Sequence, residues 1–170
     1  MFRPTPFLMP ICLAVQAVTP VPSTLQALIE SEAFSMPAGQ LLQLGQSLPA
    51  DPAFDVIQLI EDNQFRCDSA GRMSAVYRYV FRVDRESALS GWGGVQVSWS
   101  PWLNERPVIR ARVITPDGRE HALDPSTLGD AQEPDEAREM FGDRRLVRGP
   151  LPMLRVGAIA EVEIRVREHR

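Results

Sequence analysis

Cys67 and His121 are the one thiol–imidazole pairing in this sequence that could perform nucleophilic catalysis. In such a pair the imidazole takes the thiol proton and the thiolate attacks an acyl carbon. Neither residue carries a local signature of that chemistry. Cys67 follows Phe65 in an apolar alternation, where a cysteine is expected as a small buried hydrophobe, and His121 falls in an expected hairpin strand. A Gly-x-Ser-x-Gly nucleophile elbow does not occur. Glu161 and Glu163 would share a strand face, but Arg165 and Arg167 continue that face with the opposite charge, so a solvated, salt-bridged surface is expected there. Gly91-Trp92-Gly93-Gly94 precedes a strand rather than a helix, so it reads as a turn and not a phosphate loop. Cys12, Cys67, His121 and His169 form no Cys-x-x-Cys or clustered set, which leaves no zinc ligands. No catalytic, metal or cofactor residue is expected. Trp99 alternates with Val97 and belongs to the core. Trp92 and Trp102 lie beside loops and, with Arg106, are the candidate ligand-binding residues, since exposed rings can stack on a sugar or a peptide.

Composition removes further classes. All 18 basic residues are arginine. Schiff-base and P-loop lysine chemistry are therefore excluded, because arginine stays protonated. A net charge of −4 offers no basic field for nucleic acid or anionic lipid.

The first 29 residues contain no Asp or Glu. Phe7 to Val15 is apolar and Val15-Gln16-Ala17 offers small residues at the −3 and −1 positions of a signal-peptidase site. Residues 1–17 are thus expected to be a signal peptide, giving a periplasmic or secreted product with no stable membrane span. Residues 18–52 read as a Pro-rich lead-in with one or two short helices, Thr24 to Glu32 and Pro37 to Ser47. From residue 53 to 170 the period becomes strand-like. Strands are expected over Asp55 to Cys67 (interrupted at Asp62-Asn63), Met73 to Val83, Gly94 to Trp99, Val108 to Thr115, Arg119 to Leu123, Arg145 to Arg148 and Ala158 to Arg167. Turns are expected at Asp68 to Gly71 and Thr115-Pro116-Asp117-Gly118. Ala131 to Glu139 reads as a polar loop, and the last strand as a sheet edge. The fold class is mainly β: an antiparallel sandwich, which could be incomplete.

Three stretches then carry a resemblance. Ser98-Trp99-Ser100-Pro101-Trp102, RPVIRARVITPDGREHALDPSTLGD (106–130) and MFGDRRLVRGPLPMLRVGAIAEVEIRVRE (140–168) occur in order, after an opening hairpin at 55–83. Over about residues 35–168 the chain resembles a bacterial domain of unknown function that precedes transglutaminase-like cores in exported proteins. The resemblance implies a β-sandwich that positions or regulates a downstream core. That core, with its Cys-His-Asp triad, has no counterpart in these residues, so no catalytic residue carries over. The alternative is an independent module that binds cell-envelope glycan or peptide.

Overall fold

The computed structural model describes residues 23–133 and 143–169. The expected signal peptide and most of the polar stretch after Gln132 lie outside the described residues.

Two short helices open the chain, α1 (Ser23–Glu30) and α2 (Ala38–Ser47). In α2 Leu41, Leu42, Leu44 and Gly45 are buried, the i, i+3, i+4 stripe of an amphipathic helix. Pro37 caps this helix rather than sitting inside its first turn. Eight strands follow: β1 (Val56–Cys67), β2 (Met73–Val83), β3 (Gly94–Trp99), β4 (Val108–Ile114), β5 (Glu120–Ala122), β6 (Gly129–Gln132), β7 (Arg145–Pro150) and β8 (Ile159–Arg167). A single helical turn, α3 (Leu89–Trp92), leads into β3, so Gly91 and Trp92 close that turn.

The strands form two antiparallel sheets, β1-β2-β8-β4-β5 and β3-β7-β6. One core lies between them, built on Phe81, Val83, Ile109, Val113, Val147 and Val162. A second core packs Leu28, Leu41 and Leu44 of the helices against Ile60, Val80, Ile114 and Ile159 on the outer face of the larger sheet. The result is a sandwich with a helical layer added on one side. Burying each of those leucines contributes about 1.5–3 kcal/mol.

Local chemistry sets the turns. In the β1–β2 hairpin Asp68 Oδ1 accepts from the N–H groups of Ala70 (2.8 Å) and Arg72 (3.0 Å), and Gly71 adopts φ +82°. In the β4–β5 hairpin Gly118 adopts φ +81° and its N–H donates 2.8 Å to Thr115 O. Both positions need the left-handed region, which glycine enters without a Cβ clash.

Three expectations change. The last strand is not at an edge: β8 lies between β2 and β4, in the middle of the larger sheet. Its apolar set (Ala160, Val162, Ile164) faces one core, while its charged set is buried too, so it needs neighbours on both sides. The break expected at Asp62-Asn63 is instead a bulge between Gln58 and Ile60 inside one twelve-residue strand. The extra residue lets consecutive Leu59 and Ile60 both be buried. Gly129 to Gln132, partly read as loop, is a strand because β7 supplies its ladder.

Candidate functional site

The outer face of the larger sheet can be followed row by row through its register. Under the helices, one row runs Ile60–Val80–Glu161–Arg112 across β1, β2, β8 and β4. The next runs Asp62–Arg78–Glu163–Arg110, then Gln64–Val76–Arg165–Val108, and finally Arg66–Ser74–Arg167 at the open end.

The covered rows hold an ionic cluster. Arg78 donates from Nε (3.2 Å) and Nη2 (2.8 Å) to Glu161 Oε1. Arg112 donates from Nε (2.9 Å) and Nη2 (2.7 Å) to Glu161 Oε2. Glu161 has 1% exposure, so its charge is matched by donors rather than by water. The same arginines hold the helical segment. Arg78 Nη1 donates 2.6 Å to Ser31 O beyond the end of α1, Arg112 Nη2 donates 2.7 Å to Met36 O, and Arg82 Nη1 bonds to Gly45 O and, at 2.8 Å, to Leu48 O at the end of α2. Cations are favoured at helix C-termini, where unsatisfied carbonyls collect. Arg82 is itself neutralised by Asp84. Between the helices Phe34 sits at φ +67°, its N–H donating 2.9 Å to Glu161 Oε1 and its ring 4.6 Å from the Arg110 guanidinium. A phenylalanine in that region costs about 1–3 kcal/mol, which these contacts offset.

Beyond α1 the face opens into a groove of about 840 Å³, bordered by Ile29 to Ala33 and floored by β1, β2, β8 and β4. Six arginines line it (66, 78, 106, 110, 165 and 167) against five acids (Glu30, Glu32, Asp62, Glu105 and Glu163). Arg165 forks onto Glu163 at 2.9 and 3.2 Å, and Arg110 approaches the same carboxylate at 3.5 Å. At the groove's margin Arg106 and Arg145 share Asp130, at 3.1 and 2.8 Å. Partial burial pushes the Asp130 carboxyl up, but hydrogen bonds from Arg145 and Arg106 outweigh it and hold the group below its ordinary value.

Residues 69–170 match the family model DUF3857, described as a domain of unknown function with a solved structure. The chain belongs to the DUF3857 family. A crystal structure from Parabacteroides distasonis ATCC 8503, named a "putative protease", shares the fold at TM-score 0.61 and 11% identity, over 67% of this chain. The chain spans 23% of that protein's length. No curated protein matches the sequence. The DUF3857 match begins after β1, so α1, α2 and β1 lie outside it.

Within this DUF3857 chain the candidate residues from sequence do not form one site. Trp92 is tilted against Phe81 with centroids 4.8 Å apart and is 37% exposed. Trp102, 56% exposed, follows the other end of β3, whose six residues span about 20 Å at ~3.3 Å per residue. Arg106 lines the groove and neither tryptophan does. Trp99 packs against the inter-sheet core, as expected, though its Nε1 has no hydrogen-bond partner among the described residues. Cys67 is exposed, not buried, because β1 there has left the core behind. It lies on the opposite edge strand from His121, four strand spacings or about 19 Å across the sheet, and the two also sit in rows eight residues apart along β2, those of Met73 and Phe81. His169 Nε2 is 3.0 Å from Pro101 O. Glu161 and Glu163 are buried, not solvated. Among the described residues no three His, Cys, Asp or Glu side chains are placed to hold a metal, and no helix is long and apolar enough to cross a membrane. Sequence reasoning placed Arg167 on a salt-bridged face and singled out neither Arg66 nor Ser74. Aligning the two clearest strands, β2 and β8, would have brought Ser74 opposite Arg167.

Proposed function

We propose that this chain is a non-catalytic structural and interaction module of an exported transglutaminase-like protein, positioning or regulating a downstream core in the periplasm or outside the cell. The observation that carries this reading is the distance between Cys67 and His121. An imidazole must come within hydrogen-bond reach of a thiol to activate it, and these residues sit on opposite edge strands of one sheet. The buried glutamates are likewise committed to arginines and helix contacts, which suits a scaffold. Membership of DUF3857 and the ordered motif series from Ser98 to Glu168 support the same reading. So does the fold shared with a protein of which this chain spans under a quarter.

The test extends the coding sequence beyond Arg170 to its natural stop codon and compares that product with residues 1–170. The expected result is an in-frame transglutaminase-like core, with peptide turnover by the longer product and none by residues 1–170. Turnover by residues 1–170, abolished by Cys67→Ala, would overturn the proposal.

A further inference from the structure

Three carboxylates along this face and its margin are held between pairs of arginines. Glu161 lies between Arg78 and Arg112 (2.8 and 2.7 Å), Glu163 between Arg165 and Arg110 (2.9 and 3.5 Å), and Asp130 between Arg145 and Arg106 (2.8 and 3.1 Å). At the open end of the groove two more arginines stand on either side of a small residue, with no carboxylate between them. Arg66 and Arg167 flank Ser74 on one row of the sheet, all three line the groove, and among the described residues no carboxylate pairs with either guanidinium.

We propose that Arg66 and Arg167, with Ser74 between them, bind a carboxylate carried by an extended peptide. Two strand spacings, about 10 Å, separate the two backbones, so two arginine side chains can converge over the small serine. Guanidinium is planar, permanently charged and weakly hydrated, and it takes a carboxylate through two parallel hydrogen bonds. The serine hydroxyl supplies a neutral donor. Two features select a peptide over a compact or highly charged anion. Val108 on the groove floor and Ile29 on its border stand 54% and 50% exposed, apolar surface that peptide side chains can cover. The five acids around the groove nearly cancel its arginines, so a polyanion gains no long-range attraction while one carboxylate gains a local pair. This site stands on geometry alone and does not depend on a downstream core.

Isothermal titration of the full chain at low ionic strength tests it with four probes. They are acetyl-Ala-Val-Glu-Val-Ala-amide, its Gln counterpart, acetyl-Ala-Val-Ala-Val-Ala with a free C-terminus, and inorganic phosphate. Binding of the Glu peptide or of the free C-terminus, at least tenfold tighter than the Gln peptide, is the expected result, and which of the two binds identifies the source of the carboxylate. Arg66→Gln and Arg167→Gln should each weaken that binding at least fivefold, while Arg148→Gln on the other sheet should leave it unchanged. Ser74→Glu supplies an internal carboxylate to the same pair and should abolish binding in a folded chain. Equal binding of the Glu and Gln peptides, no binding by the unmodified chain, or undiminished binding by Ser74→Glu would overturn the proposal. Phosphate that binds while neither carboxylate peptide does would overturn it as well.

Discussion

The two ends of one sheet face use the same residue types to opposite effect. Under α1 and α2, Arg78, Arg112 and Glu161 are buried, and every charge meets a partner or a carbonyl of the segment that carries the helices. Two rows further on, Arg66, Arg165 and Arg167 stand exposed. The alternation along β2 and β8 is identical at both ends. What differs is whether a helix lies on top, and the helices themselves are held by the arginines they cover. Burial of charge here depends on an element distant in sequence.

The largest expected effect comes from breaking the covered end. Glu161→Ala leaves Arg78 and Arg112 in a dry site without their shared counter-ion and should cost about 3–5 kcal/mol in urea unfolding. Replacing Arg78, Arg112 and Glu161 together by apolar residues of similar volume should recover most of that loss. A loss under ~1 kcal/mol for Glu161→Ala would mean that water reaches the cluster and that the two ends are alike.

An apolar pair sharpens the same contrast. Leu28→Ala, at a fully buried position between α1 and the sheet, should cost about 2–5 kcal/mol, from lost transfer energy and the residual cavity. Val108→Ala, 54% exposed on the open rows, should change stability by no more than ~0.5 kcal/mol. Similar values at both sites would remove the distinction between the covered and open halves.

Strand positions were legible because alternation with period two is a local property. Met73 to Val83 and Ala158 to Arg167 show it plainly, and Asp68 to Gly71 and Thr115 to Gly118 carry turn chemistry in their own residues. The environment of each face was not legible. Glu161 and Glu163 alternate with apolar residues whether the far side meets water or a helix, so an acidic stripe read as solvated proved to be the most buried polar cluster. The central position of β8 was hidden for the same reason. Cys67 failed in the other direction, since its apolar neighbours do not reveal that β1 runs past the inter-sheet core. β6 has no alternation to read and exists through its pairing with β7. The groove required the register of four strands at once, which no single segment encodes.

The smallest effect expected of an ionic substitution isolates burial from composition. Arg106, Asp130 and Arg145 form the same arginine–carboxylate–arginine arrangement as Arg78, Glu161 and Arg112, but with Asp130 at 21% side-chain exposure and arginines near half exposed. Solvent screens such pairs, so Asp130→Asn should cost no more than ~1 kcal/mol at neutral pH, and less in high salt. The sign of its pH dependence follows from linkage. The Asp130 carboxyl titrates lower in the folded chain than in the unfolded one, so the unfolded state binds the proton more readily. Its stabilising contribution is therefore complete above the ordinary carboxylate range and disappears as pH falls through the lowered folded value. Urea midpoints for the parent and Asp130→Asn should differ slightly at pH 7 and converge in acid. A gap that widens on acidification, or one that matches Glu161→Ala, would show that burial is not what separates the two triads.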